Sequence, residues 1–73
     1  MRILTEFTGV GKFADRSAVV VIDSNGDHGV KYCLDEKVVD YRIFPDHSVY
    51  FAQDAAENWI TGIINPKDLE VTY

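Results

Sequence analysis

The spacing of the apolar residues changes at Pro45, and this change constrains the fold more than any other feature of the sequence. Before Pro45, short β-branched and aromatic segments alternate with turn residues. After it, apolar residues recur at intervals of three and four, which is the period of an amphipathic helix. Strands followed by one helix predict an α+β domain in which the helix packs across an antiparallel sheet.

Four segments before Pro45 have the composition of β-strands: residues 2–7, 17–22, 29–34 and 38–44. The second segment is almost wholly apolar and β-branched, so we predict that it is a central strand. Asn25-Gly26 lies in the turn after this segment and is a strong hairpin signal. A second tight turn is expected at Asp35-Glu36-Lys37. Short turns between successive strands predict an antiparallel meander.

The segment after Pro45 is predicted to be a helix over residues 48–63, capped by Ser48 or Asp46. Its apolar stripe comprises Val49, Ala52, Ala56, Trp59, Ile60 and Ile63. A capping-box pattern at Asp54 and Glu57 allows a shorter helix, with residues 49–52 as a short strand. The continuous stripe favours the longer helix. Residues 69–73 are predicted to form a closing strand, so the sheet would have four to five strands.

The length of 73 residues indicates a single domain with a small core, which rarely contributes more than about 3–5 kcal/mol. In so small a core we expect Trp59 to be buried. The single cysteine, Cys33, excludes an internal disulfide, and we expect it to be a small buried residue. No apolar run approaches the ~20 residues needed to span a bilayer. These features predict a cytoplasmic protein that does not bind membranes.

No catalytic or ligand-binding motif is complete, so neither an enzyme nor a cofactor is expected. The segment from Asp23 to Asp27 begins like a calcium loop, but His28 and Leu34 occupy the positions that require glycine and glutamate. It is better explained as a solvated turn. Two histidines and one cysteine are too few for a usual structural zinc site.

The negative charge of the chain is concentrated after residue 43. Residues 44–73 contain five acids and one base, a net charge of 1 − 5 = −4, whereas the whole chain carries −5. The acids are Asp46, Asp54, Glu57, Asp68 and Glu70. A surface kept only for solubility usually mixes both signs of charge. This asymmetry therefore favours a partner with a basic surface and disfavours direct binding to nucleic acid.

Two stretches, residues 1–9 (MRILTEFTG) and 51–59 (FAQDAAENW), resemble small phage-encoded accessory proteins. The resemblance is one of size, acidity and general character, and it carries over no functional residue. It implies a protein that acts by binding and blocking, such as an inhibitor of a host enzyme or an anti-defence factor.

Two functions follow as hypotheses. The first is an acidic module that docks through the five acids named above on a basic surface of another protein. That surface could be one that the other protein uses to bind nucleic acid. The alternative is a structural or assembly protein that forms a homodimer or larger homo-oligomer through a sheet edge or an aromatic surface. For the alternative, Tyr32, Tyr50 and Tyr73 are expected to lie outside the core.

Overall fold

A computed structural model describes residues 1–69 and shows an antiparallel sheet with one long helix packed against it. The strands are β1 (Arg2–Thr8), β2 (Arg16–Ile22), β3 (His28–Leu34) and β4 (Lys37–Phe44), in the spatial order β1-β2-β3-β4. A short 3₁₀ turn spans Gly11–Phe13, and the helices are α1 (Val49–Ile60) and α2 (Pro66–Leu69). The predicted α+β class and meander are confirmed, and β2 lies inside the sheet as expected.

The turn between β3 and β4 is tighter than predicted, because Lys37 is the first residue of β4. Only Asp35 and Glu36 connect the strands, and their φ angles are 52° and 67°. Two successive left-handed residues are the requirement of a type I′ hairpin turn. Asn and Gly usually supply this geometry, so Asp35-Glu36 does not predict it.

Helix α1 begins where the longer of the two predicted helices begins, and it ends three residues before the predicted end at residue 63. Residues 49–52 are helical, and Ser48 occupies the N-cap position, although its side chain makes no capping hydrogen bond. The helix ends at Ile60 instead of residue 63 because Gly62 adopts a left-handed φ of 84°. A Cβ at Gly62 would lie 2.2 Å from Cζ of Phe13, so the site is also too crowded for a side chain.

The predicted closing strand over residues 69–73 is not among the described elements. Leu69 is the last residue of α2, and residues 70–73 lie outside the described part of the chain. The sheet described for residues 1–69 therefore has four strands.

The core lies between α1 and one face of the sheet, which we call the helix face. Its buried residues are Ala18, Val20, Val30, Tyr32, Ala52, Ala56 and Trp59. Trp59 is fully buried, as predicted, and its indole N–H donates to the carbonyl oxygen of Cys33 at 3.0 Å. The expectation that Tyr32 lies outside the core is wrong: it is 2% exposed, and its ring lies 5.5 Å from that of Trp59 in an edge-to-face contact.

Arg16 joins the start of β2 to the C-terminal end of α1. Its Nη1 donates to the carbonyl oxygens of Trp59 and Ile64 at 3.0 and 2.9 Å, and its Nη2 donates to Oδ1 of Asn65 at 2.9 Å. The guanidinium also lies 4.7 Å from the ring centroids of both Phe13 and Trp59. A cation is favoured here because the C-terminal end of a helix carries partial negative charge.

The opposite face of the sheet, which we call the open face, lies away from the core cluster to which α1 contributes. The register places twelve residues there in three rows: Thr8, Ser17, Cys33 and Val38; Glu6, Val19, Lys31 and Tyr41; Ile3, Val21, Gly29 and Ile43. In β4 the apolar residues Tyr41 and Ile43 therefore face away from the helix, while Asp40 and Arg42 share the helix face. Cys33 is buried, as predicted.

Candidate functional site: the exposed side of helix α1 and its groove

Helix α1 presents a side to solvent that carries aromatic and acidic residues. Ala52, Ala56 and Trp59 are buried in the core, and Ala55 packs partly against it. Five residues of α1 and its C-cap are exposed: Tyr50, Phe51, Asp54, Glu57 and Thr61. Tyr50 is 75% exposed and Phe51 44%. Exposed aromatic side chains of this size are typical of contact surfaces.

The structure brings together two of the five acids predicted to bind a partner. Asp54 and Glu57 are three residues apart on the same helix, so their side chains are neighbours on its exposed side. Asp46 is exposed in the connection before α1, where its φ is 65°. Asp68 belongs to α2, and Glu70 lies outside the described residues.

The exposed side of α1 carries acidic residues without a base, because the helix contains no lysine or arginine. Its twelve residues, VYFAQDAAENWI, include two carboxylates and no base. The preceding residues 45–48 add Asp46 and also contain neither lysine nor arginine. Charges that are not paired within their own helix remain available to a partner.

A groove with a volume of about 350 Å³ runs beside Asp54, between α1 and β4. Its polar lining comes from Tyr32, Arg42, Asp54 and Asn58, and its apolar lining from Phe44, Phe51, Ala55 and Ile64. Arg42 forms an ion pair with Asp40, with 2.6 Å between Nε and Oδ2. The groove is therefore amphipathic, with convergent hydrogen-bonding groups between apolar walls.

Three aromatic rings cluster beside this groove, and two of them, Phe44 and Phe51, line it. The ring of Phe51 lies 5.0 Å from that of Phe44 in an edge-to-face contact. The imidazole of His47 stacks on Phe51 at 4.0 Å, with 20° between the planes. Sequence analysis missed this cluster because Phe44 ends a strand while Phe51 begins a helix. Only the turn between β4 and α1 brings the two together.

The phenol of Tyr32 is neutral in the groove at physiological pH. Burial raises its pKa above the ordinary value of 10.0, the positive charge of Arg42 partly opposes this effect, and Asp40 adds to it. A neutral phenol can both donate and accept hydrogen bonds. Together with a guanidinium, a carboxylate and an amide, it equips the groove for recognition of polar groups.

Within residues 1–69, no three side chains of His, Cys, Asp and Glu lie close enough together to hold a metal ion. None of the described helices is long and apolar enough to cross a membrane.

The chain matches no model of a known protein family, no curated protein sequence and no solved structure.

Proposed function

We propose that this protein is a small protein-binding module that docks through the exposed side of α1 on a basic surface of another protein. In doing so it would inhibit or modulate that partner, whose basic surface could itself be one that binds nucleic acid. The observation that carries the proposal is the combination, on one helix side, of two carboxylates, no base and two exposed aromatic residues.

The two kinds of residue contribute differently to binding. Carboxylates at Asp54 and Glu57 would attract a basic partner over a range of about 8–10 Å at physiological salt and speed the encounter. Tyr50 and Phe51 supply apolar area that would slow dissociation of the complex, since aromatic residues dominate the energetics of interfaces. The proposal therefore predicts that salt weakens binding without abolishing the apolar contribution.

The groove beside α1 suits an arginine side chain of such a partner. A guanidinium stacks on aromatic rings and pairs with carboxylates. Phe44 and Phe51 provide rings on the groove wall, and Asp54 provides a carboxylate. The charge of Arg42, which also lines the groove, is offset by its ion pair with Asp40. These groups support the choice of a basic partner over a purely apolar one.

The test is affinity capture from a lysate of the source cells with three forms of the protein. The first is the unmodified chain, and the second carries Asp54→Lys and Glu57→Lys. The matched control carries Asp15→Lys and Glu36→Lys, which change the net charge equally at exposed sites away from α1. We expect a partner that is captured at low salt, lost with the α1 variant and retained by the control. Equal capture by the two variants would refute the proposal.

A further inference from the structure

The open face of the sheet is apolar and exposed along its edges. Ile3, Val38 and Tyr41, one from each of its three rows, are 62%, 56% and 39% exposed. Val21, on the inner strand β2 in the end row, is fully buried, and the inner residues Val19 and Lys31 are half-buried, so exposure is greatest on the edge strands β1 and β4. A small soluble domain rarely leaves a contiguous apolar sheet face uncovered unless something binds it.

The charged residues of the open face favour a second copy of this chain as its binding partner. Its only charged residues are Glu6 and Lys31, which sum to zero, whereas the whole chain carries −5. A neutral face lets two acidic copies of the chain approach each other despite their overall repulsion. One acid and one base on the same face are also self-complementary, which is the property that an isologous interface requires.

The position of Lys31 also favours a second copy of the chain as the binding partner of this face. Its Nζ lies 5.6 Å from the ring centroid of Tyr41, so the side chain leans toward β4. Within residues 1–69 no carboxylate forms an ion pair with it. Glu6 lies in the same row at the opposite edge of the sheet, on β1. A carboxylate brought over Tyr41 by a second molecule would meet the ammonium group directly.

Both edge strands are poorly suited to pair with another strand. The register of β1 shifts between Ile3 and Thr5, and that of β4 shifts opposite Tyr32 and Cys33, where Val39 is the extra residue. Bulges of this kind interrupt the row of backbone groups that edge-to-edge pairing needs. Association through the face is therefore favoured over association through an edge.

We propose that the open face binds a second copy of this chain, with a two-fold axis parallel to the strands. Rotation about such an axis preserves the rows and places β1 of one copy over β4 of the other. Glu6 of each copy then lies over Tyr41 of its partner, beside Lys31. A two-fold axis across the strands would instead place Glu6 on Glu6 and Lys31 on Lys31. Charge therefore selects the first arrangement.

The area of the open face limits the affinity that such a dimer can have. Four strands of about seven residues span roughly 19 by 23 Å, so two copies bury roughly 900 Å² or somewhat more. This is smaller than the roughly 1,200 Å² at which specific, stable interfaces begin, so we expect a weak, reversible dimer with a dissociation constant in the micromolar range or above. The dimer leaves the exposed side of α1 accessible, so it neither requires nor excludes the function proposed above.

The test is sedimentation equilibrium of the full chain from about 10 μM to about 1 mM, a range suited to a weak dimer. The mass should rise from 8.3 kDa toward twice that value. Glu6→Lys and Lys31→Glu should each weaken dimerisation about tenfold or more, since each places like charges together twice. The double variant restores both pairs and should return the dissociation constant to near that of the unmodified chain. Asp15→Lys, at an exposed position outside the twelve residues of the open face, is the control and should have no effect.

A second measurement needs no variant. Amide resonances of the open face, such as those of Val19 and Lys31, should shift on dilution, while those of α1 should not. A monomer at every concentration would overturn the proposal, as would a double variant that stays as weak as the single ones. Concentration-dependent shifts confined to the outer edge of β4 or to α1 would also overturn it.

Discussion

Replacing Arg16 by methionine should remove much of the stability of this domain. Methionine keeps the length and part of the apolar contact of the side chain but has no N–H donors. The carbonyl oxygens of Trp59 and Ile64 and the side chain of Asn65 then lose the donors at 2.9–3.0 Å that they now have. The contacts of the guanidinium with two aromatic rings are lost as well.

The magnitude follows from these contacts. Hydrogen bonds to a charged donor each contribute about 1.5–3 kcal/mol. Part of that loss is recovered where water can reach the freed carbonyls at the end of the helix, so we expect about 3 kcal/mol in total. The whole free energy of unfolding of a domain of this size is only about 3–5 kcal/mol. The variant should therefore be largely unfolded or close to it at 25 °C.

Urea unfolding monitored by the fluorescence of Trp59, the single tryptophan, measures the effect. Arg16→Lys should be intermediate because lysine keeps the charge but lacks the planar fork that reaches three acceptors. Arg2→Met is the control, since Arg2 is exposed, and it should change stability by less than about 0.5 kcal/mol. A loss below about 1 kcal/mol for Arg16→Met would show that the three acceptors do not depend on the guanidinium.

Three further perturbations test other parts of the structure by the same unfolding assay. Gly62→Ala should cost about 1–3 kcal/mol, because Gly62 has a φ of 84° and lies against the ring of Phe13; a neutral result would contradict the left-handed helix end. Glu36→Gly should stabilise the chain by about 0.5–1 kcal/mol, because it relieves a left-handed glutamate in the hairpin turn; destabilisation would contradict the type I′ geometry. Stability should fall as the pH rises above 10.0, because unfolded Tyr32 releases its proton there while the folded phenol, with its raised pKa, retains it. Tyr32→Phe should remove that part of the fall, and an unchanged pH profile would argue against the burial of the phenol.

Helical periodicity predicts one part of the candidate site, the acidic side of α1, whereas the groove beside it depends on tertiary packing. Spacings of three and four residues sufficed to place Asp54 and Glu57 together on the solvent side of α1, because that side is set by the buried stripe of Ala52, Ala56 and Trp59. The groove beside them was not predictable. Its walls come from β3, β4, α1 and the segment after α1, and no local pattern reports how such distant segments meet.

By itself, the sequence determined the order and type of the four strands and of helix α1, since strand alternation, helical period and turn residues all act over a few positions. It did not indicate the 3₁₀ turn at Gly11–Phe13. Only the tertiary structure decided which side of each strand is buried. It turned Asp40 and Arg42 of β4 toward the helix, left Tyr41 and Ile43 on the open face and buried Tyr32 against Trp59. It also made Arg16 a structural residue through contacts 43 to 49 positions away. Burial and hydrogen bonding at that range depend on strand register and helix placement, which exist only once the whole chain has packed.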